Sequence, residues 1–144
     1  EDPWSELMRE ADSHAVLELF ARQGHHFSAR NLATAAHRVA IGASQRHHRH
    51  PATHREGGRR RVREEEDPRL TALAAACCRR ARDLDTQGLA NVAWAFAKTR
   101  GPQQQLLYDA VGAEFALRPP AKARELATTA WAFARAAVPA PQLF

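Results

Sequence analysis

The letters Trp-Ala-Phe-Ala occur twice in this chain, at residues 94 to 97 and 131 to 134, each time followed by a basic residue. A local catalytic motif has no reason to recur at fixed spacing, whereas a structural repeat must. A shift of 37 residues lays Leu89 on Leu126, Trp94 on Trp131, Phe96 on Phe133 and Lys98 on Arg135, and upstream it lays Leu70 on Leu107. The unit is therefore longer than its motif and reads as a pair of helices. A weaker copy comes earlier. Setting Leu32 on Leu89, a shift of 57, puts His37 where the tryptophans stand, and about 20 extra residues then separate the first copy from the second.

Helix starts fall where this scheme needs them. Asp2-Pro3, Asp12 or Ser13, Ser28, Asp67-Pro68, and Asp85 or Thr86 supply capping oxygens or a first-turn proline, whose missing N–H costs nothing there. Gly24, Gly42, Gly101, Pro119-Pro120 and Pro139 read as stops. No run alternates apolar and polar residues with β-branched enrichment, so no strand is expected. The predicted fold class is all-α, with six helices in three antiparallel pairs. A two-helix unit cannot hide its own apolar face, so the pairs must stack into an α-solenoid. The units are expected at residues 12–44, 68–101 and 102–138, and "APQLF" at the end reads as the start of a further, truncated unit.

On a helical wheel Val92, Ala93 and Phe96 gather around Leu89, and Trp94 points to the shoulder of that face. Leu89, Phe96, Leu126 and Phe133 are expected to be buried, and the tryptophans to be core between units rather than stacking surfaces. Opposite lies a polar stripe of Gln87, Asn91 and Lys98. Its counterparts are Arg124, Thr128 and Arg135 in the third unit, and Arg30, Thr34 and Ile41 in the first.

The formal charge of +5 favours an anionic partner, but most of it has one source. Residues 46 to 66 hold seven arginines against four glutamates, which leaves +2 for the remainder. This stretch, "QRHHRHPATHREGGRRRVREEED", lacks apolar periodicity and carries Pro51 and Gly57-Gly58, so residues 45–67 are expected to be a disordered basic insertion. His47, His48, His50 and His54 lack the ordered partner ligands that metal spacings supply, so no metal site is expected. Cys77 and Cys78 point in different directions on one helix and should not pair. There is no GxSxG, no HExxH and no glycine-rich phosphate loop. Asp83, Asp85, Asp109 and Glu125 are read as helix-end charges. Neither an enzyme nor a cofactor is expected. No stretch approaches the roughly 20 apolar residues of a membrane span, and the amino end carries no recognisable targeting signal.

"LDTQGLANVAWAFAKTR" and "KARELATTAWAFARAAVPAPQLF" resemble the octotricopeptide and heptatricopeptide repeats of organellar RNA-binding proteins, which read roughly Leu-x-Pro-Gln-x-Leu-Ala-Asn-x-x-Trp-Ala-x-Ala. The opening "AVLELFARQGHHFSARNLATAAHRVA" is similar to first units of such proteins from algae, dinoflagellates and apicomplexans. Related repeats occur in subunits of the RNA-editing substrate-binding complex and in FAST-kinase-like proteins that end in a RAP domain. Departures are Thr86 where proline is usual, Gly88 near a helix start, Lys122-Ala123-Arg124 in place of Asp-Pro-Gln, and no tryptophan in the first unit. No RAP-type segment is among these residues, so the resemblance carries no nuclease role.

The resemblance implies binding of single-stranded RNA, mRNA or rRNA, in a mitochondrion or alternatively a plastid. It would serve RNA processing, editing, stability, translation or ribosome assembly. Helical repeats read about one base per unit through two or three side chains. The expected base readers are Arg30, Gln87 and Arg124 in one column and Thr34, Asn91 and Thr128 in the next. Lys98 and Arg135 are expected to hold phosphates, with Arg59, Arg60 and Arg61 of the insertion as further phosphate contacts. The alternative is a scaffold that binds RNA-processing or ribosomal proteins along the same grooves.

Overall fold

A computed structural model describes residues 2–49, 67–99, 104–119 and 121–137. Seven α-helices run through them: α1 Pro3–Glu10, α2 Ser13–Gln23, α3 Ala29–Arg49, α4 Pro68–Arg79, α5 Thr86–Thr99, α6 Gln104–Leu117 and α7 Ala123–Ala136. No strand occurs among the described residues, and none of their helices is long and apolar enough to cross a membrane. The chain is all-α.

The helix starts follow the capping residues. Asp12 Oδ1 accepts the Ala15 N–H at 2.8 Å, Asp67 Oδ1 the Arg69 N–H at 2.9 Å, and Asp85 Oδ1 the Gly88 N–H at 2.8 Å. Each satisfies one orphan donor of a first turn. Ser28 and Asn31 exchange two such bonds, Asn31 N–H to Ser28 Oγ and Ser28 N–H to Asn31 Oδ1. The buried Asn31 amide also donates to Asp2 and Ser5. That contact fixes α1, the helix beyond the six expected, against the start of α3. Asp2 is held below the usual carboxylate range chiefly by this bond.

Gly42 does not stop a helix. α3 passes through it to Arg49, and residues 45–49 of the expected insertion are helical. Residues 50–66 lie outside the described residues. A Cβ at position 42 would meet Ser13 Cβ at 2.7 Å, so α2 and α3 approach closely at this glycine.

The second helices of the repeat pack closest to one another, α3 on α5 and α5 on α7. Alanine makes this possible: Ala33, Ala36 and Ala40 of α3, Ala90, Ala93 and Ala97 of α5, and Ala132 of α7 are all buried. Into this row fit the large residues that the repeat shares, Leu32 and Leu89, and Val39, Phe96 and Phe133. Complete burial of a side chain such as Leu89 contributes about 2 kcal/mol. Of the first helices, α4 contacts both α2 and α3, and α6 contacts both α4 and α5. Tyr108 of α6 is wholly buried, donates to the Ala93 carbonyl of α5 at 2.6 Å and meets Phe133 of α7 edge-on at 4.9 Å. Burial pushes its hydroxyl far above the usual phenol range, so it remains a donor.

Leu126 departs from expectation. Its repeat partner Leu89 is 0% exposed, but Leu126 is 44% exposed. α5 packs closely against both α3 and α7, whereas α7 packs closely only against α5 among the described helices. The cysteines behave as expected. α4 turns Cys77 toward the Leu32 carbonyl and Cys78 toward the Leu106 carbonyl, and both thiols are free.

Candidate nucleic-acid interface

The polar stripe of the repeat runs along the second helices, and between α5 and α7 it borders a cleft of ≈ 490 Å³. α5 contributes Gln87, Ala90, Asn91 and Trp94, and α7 contributes Arg124, Glu125 and Thr128, with Lys122 just before it and His37 reaching in from α3. Four of the six expected base readers, Gln87, Asn91, Arg124 and Thr128, therefore converge on one space. The volume falls within the range of ordinary small-ligand pockets.

Arg30 and Thr34 are not part of it. Both precede His37 on α3, and the Thr34 hydroxyl donates back to the Arg30 carbonyl at 3.0 Å, a bond within its own helix. The first-unit members of each column thus stand apart from those of the second and third.

The floor of the cleft is held by Glu125. Its Oε2 accepts the Thr86 hydroxyl at 2.8 Å, joining α7 to α5, and also the Lys122 N–H at 3.1 Å, closing the first turn of α7. This carboxylate is engaged in packing two units together, which leaves Lys122 and Arg124 as the cleft's cations. The two carboxamides each carry donors and an acceptor, and the Thr128 hydroxyl does both. Such a lining can hydrogen-bond the edge of a planar heterocycle while cations stand beside it for an anionic group.

Next to the cleft the structure places rings and cations in alternation. The His37 ring lies 5.1 Å from Trp94 at a tilt of 37°. Lys98 Nζ lies 5.7 Å from the Trp94 centroid and 5.3 Å from that of Trp131, and the Arg135 guanidinium lies 5.6 Å from Trp131. Arg135 Nε also donates to the Ala97 carbonyl at 3.2 Å, a favourable place for a cation near the C-terminal end of α5. Lys98 and Arg135, expected as phosphate contacts, are thus held against indole rings. Burial first, and the neighbouring Arg38 charge second, keep His37 below the ordinary imidazole value, so the ring is neutral at neutral pH.

Trp94 is half-buried and packs against the core, as expected, whereas Trp131 departs from its expected place and is 42% exposed. His37, Trp94, Trp131 and Lys122 are the members of the site that sequence reasoning did not select. The same 37-residue shift held the signal for Lys122, because it puts Lys122 on Asp85, two positions before the Gln87 and Arg124 column. Arg59, Arg60 and Arg61 and the side chains of His47, His48, His50 and His54 lie outside the described residues. Among the described residues no three His, Cys, Asp or Glu side chains converge as metal ligands. Asp109, expected at a helix end, sits within α6 and accepts from Gln105 Nε2 at 2.9 Å.

No protein-family model, curated protein or solved structure matches this chain.

Proposed function

We propose that this chain binds single-stranded RNA along the face of α3, α5 and α7, as a segment of an α-solenoid whose units meet successive bases. The observation that carries the reading is the convergence of Gln87 and Asn91 from one repeat with Arg124 and Thr128 from the next on a single cleft. Positions that the 37-residue shift puts in common columns line one cleft between α5 and α7, which supports reading of successive bases by successive units. Gln87 and Asn91 read one base edge and Arg124 and Thr128 the next, while Lys98 and Arg135 hold phosphates, which position the strand without specifying its sequence. The close row of alanine-rich second helices supports the solenoid, since it repeats the same side-chain columns at regular spacing. The organellar setting, and a role in RNA processing, editing, stability, translation or ribosome assembly, rest on the resemblance to octotricopeptide and heptatricopeptide repeats.

The test is competition binding over randomised RNA strands. The double variant Gln87→Ala, Asn91→Ala should alter preference at one base position and leave the others as they were. An unchanged preference at every position contradicts the reading.

One observation favours a second reading, a scaffold for protein partners. On the other row of helices, Phe20 and Ala21 of α2 and Ala72 and Ala76 of α4 line a hollow of ≈ 490 Å³, with Arg69 and Arg79 at its side. Salt separates the two readings. Binding that releases counterions from a phosphate backbone weakens steeply as salt rises, whereas burial of an apolar helix does not.

A further inference from the structure

We propose that the ring column His37, Trp94 and Trp131 is a stacking rail for unpaired nucleobases, in which Lys98 and Arg135 give up the indole faces as bases arrive. The proposal deepens the RNA-binding reading and rests on it. It adds a subsite beside the cleft, and the ligand class is the exposed π-face of a base rather than its hydrogen-bonding edge.

Three observations carry it. First, the rings belong to successive second helices, one per unit; His37 and Trp94 both line the cleft, and Lys98 lies near both Trp94 and Trp131. A strand whose base edges reach the cleft would therefore have its neighbouring bases beside these rings. Second, Trp131 retains 42% of its surface, so part of its indole is open to a base, whereas Phe133 on the same helix is covered. Third, Lys98 and Arg135 both sit over Trp131, and Lys98 also lies near Trp94. A cation over an exposed ring is a weak contact, and stacking of a base on that ring is a stronger one. Exchanging one for the other is favourable, and a displaced ammonium or guanidinium then lies beside the phosphate of the incoming nucleotide.

The arrangement gives Lys98 and Arg135 two successive partners, indole in the free protein and phosphate in the bound one. It also accounts for their being held in place: Arg135 is anchored by its Nε bond to the Ala97 carbonyl, so its guanidinium has little distance to move. His37 opens the rail at the position where the first unit lacks tryptophan. Kept neutral by burial, it presents a ring rather than a third cation.

The test uses the whole chain with two RNA-length probes of equal charge, an adenine-only strand and an abasic strand with the same backbone. Binding is read by anisotropy and by quenching of tryptophan fluorescence. The unaltered protein should bind the adenine strand about tenfold more tightly than the abasic one, with quenching only by the former. Trp131→Leu should erase most of that difference. Trp131→Phe should keep part of it. Lys98→Met, which leaves both indoles in place, should widen the preference for the base-bearing strand while lowering the salt slope by about one. The last result is one that a purely packing role for Lys98 would not produce, and it stands even if Trp131→Leu fails to fold. The rail is overturned if Trp131→Leu keeps the full preference for bases, if Lys98→Met lowers both affinities equally, or if the unaltered protein binds the two strands alike. In those cases RNA binding through the cleft and the phosphates still stands. Absence of binding to either strand overturns both.

Discussion

Substituting Gly42 by alanine tests the close approach of α2 and α3 through the sign of its effect. Inside an exposed helix, alanine is favoured over glycine by about 1 kcal/mol. At position 42 the added methyl would stand 2.7 Å from Ser13 Cβ and 2.9 Å from its Oγ, distances that real side chains do not tolerate. Relieving such a contact by shifting packed helices costs about 1–3 kcal/mol. The contact outweighs the propensity gain, and Gly42→Ala should destabilise the chain by about 1 kcal/mol. In a Ser13→Gly background the obstruction is gone, and the same substitution should stabilise by about 1 kcal/mol. The coupling of about 2 kcal/mol exceeds the ~0.5 kcal/mol scatter of independent sites. For a chain of this size each 1 kcal/mol moves Tm by about 4 °C, and far-ultraviolet circular dichroism during heating resolves that shift. A glycine that ended the helix in a left-handed conformation would give a different pattern, a loss of about 1 kcal/mol in both backgrounds and no coupling. Equal effects of Gly42→Ala in the two backgrounds would refute the argument.

Other substitutions probe the packing and the site. Leu89→Ala should cost about 3 kcal/mol, and Leu126→Ala less than about 1 kcal/mol despite the shared repeat position, as read by urea unfolding. Tyr108→Phe should cost about 1 kcal/mol, the net value of one buried neutral hydrogen bond, with the fold intact by circular dichroism. Burial pushes the Cys77 thiol up to about 12, so at pH 8 the native chain should withhold Cys77 from an aromatic disulfide reagent and release it only on unfolding. The folded His37 value lies below the unfolded one of 6.5, so the unfolded chain takes up that proton first as pH falls. Its contribution to stability is complete above pH 6.5 and is lost as pH falls through the lower folded value, and His37→Gln should flatten that part of the stability–pH profile.

The repeat made most of the architecture legible. Capping residues at Asp12, Ser28, Asp67 and Asp85 placed four helix starts, and the shift of 37 residues placed Gln87, Asn91, Arg124 and Thr128 in the columns that meet at the cleft. What the letters could not convey was the neighbourhood of each unit. Leu89 and Leu126 are the same residue at the same repeat position, yet the helix of one packs closely against two others and the helix of the other against one. Gly42 carried a stop signal in its conformational freedom, but its missing side chain matters because Ser13, 29 positions earlier, presses against it. The tryptophans read as core because large aromatic residues on an apolar shoulder usually are. Their pairing with Lys98 and Arg135 depends on spacing between helices, which periodicity along one helix does not encode. Arg30 and Thr34 matched their columns in sequence and still lie outside the cleft.

Whether RNA lies along the face of α3, α5 and α7 is decided by the three indole N–H signals in a nitrogen-15 correlation spectrum during titration with single-stranded RNA. Trp94 and Trp131 lie on that face, while Trp4 packs against His26 and Phe27 and serves as the internal control. If it does, the Trp94 and Trp131 signals move together with a common dissociation constant while Trp4 stays in place. Movement of Trp4 with Trp94 and Trp131 unmoved, at RNA concentrations where binding is detected by anisotropy, would contradict that placement.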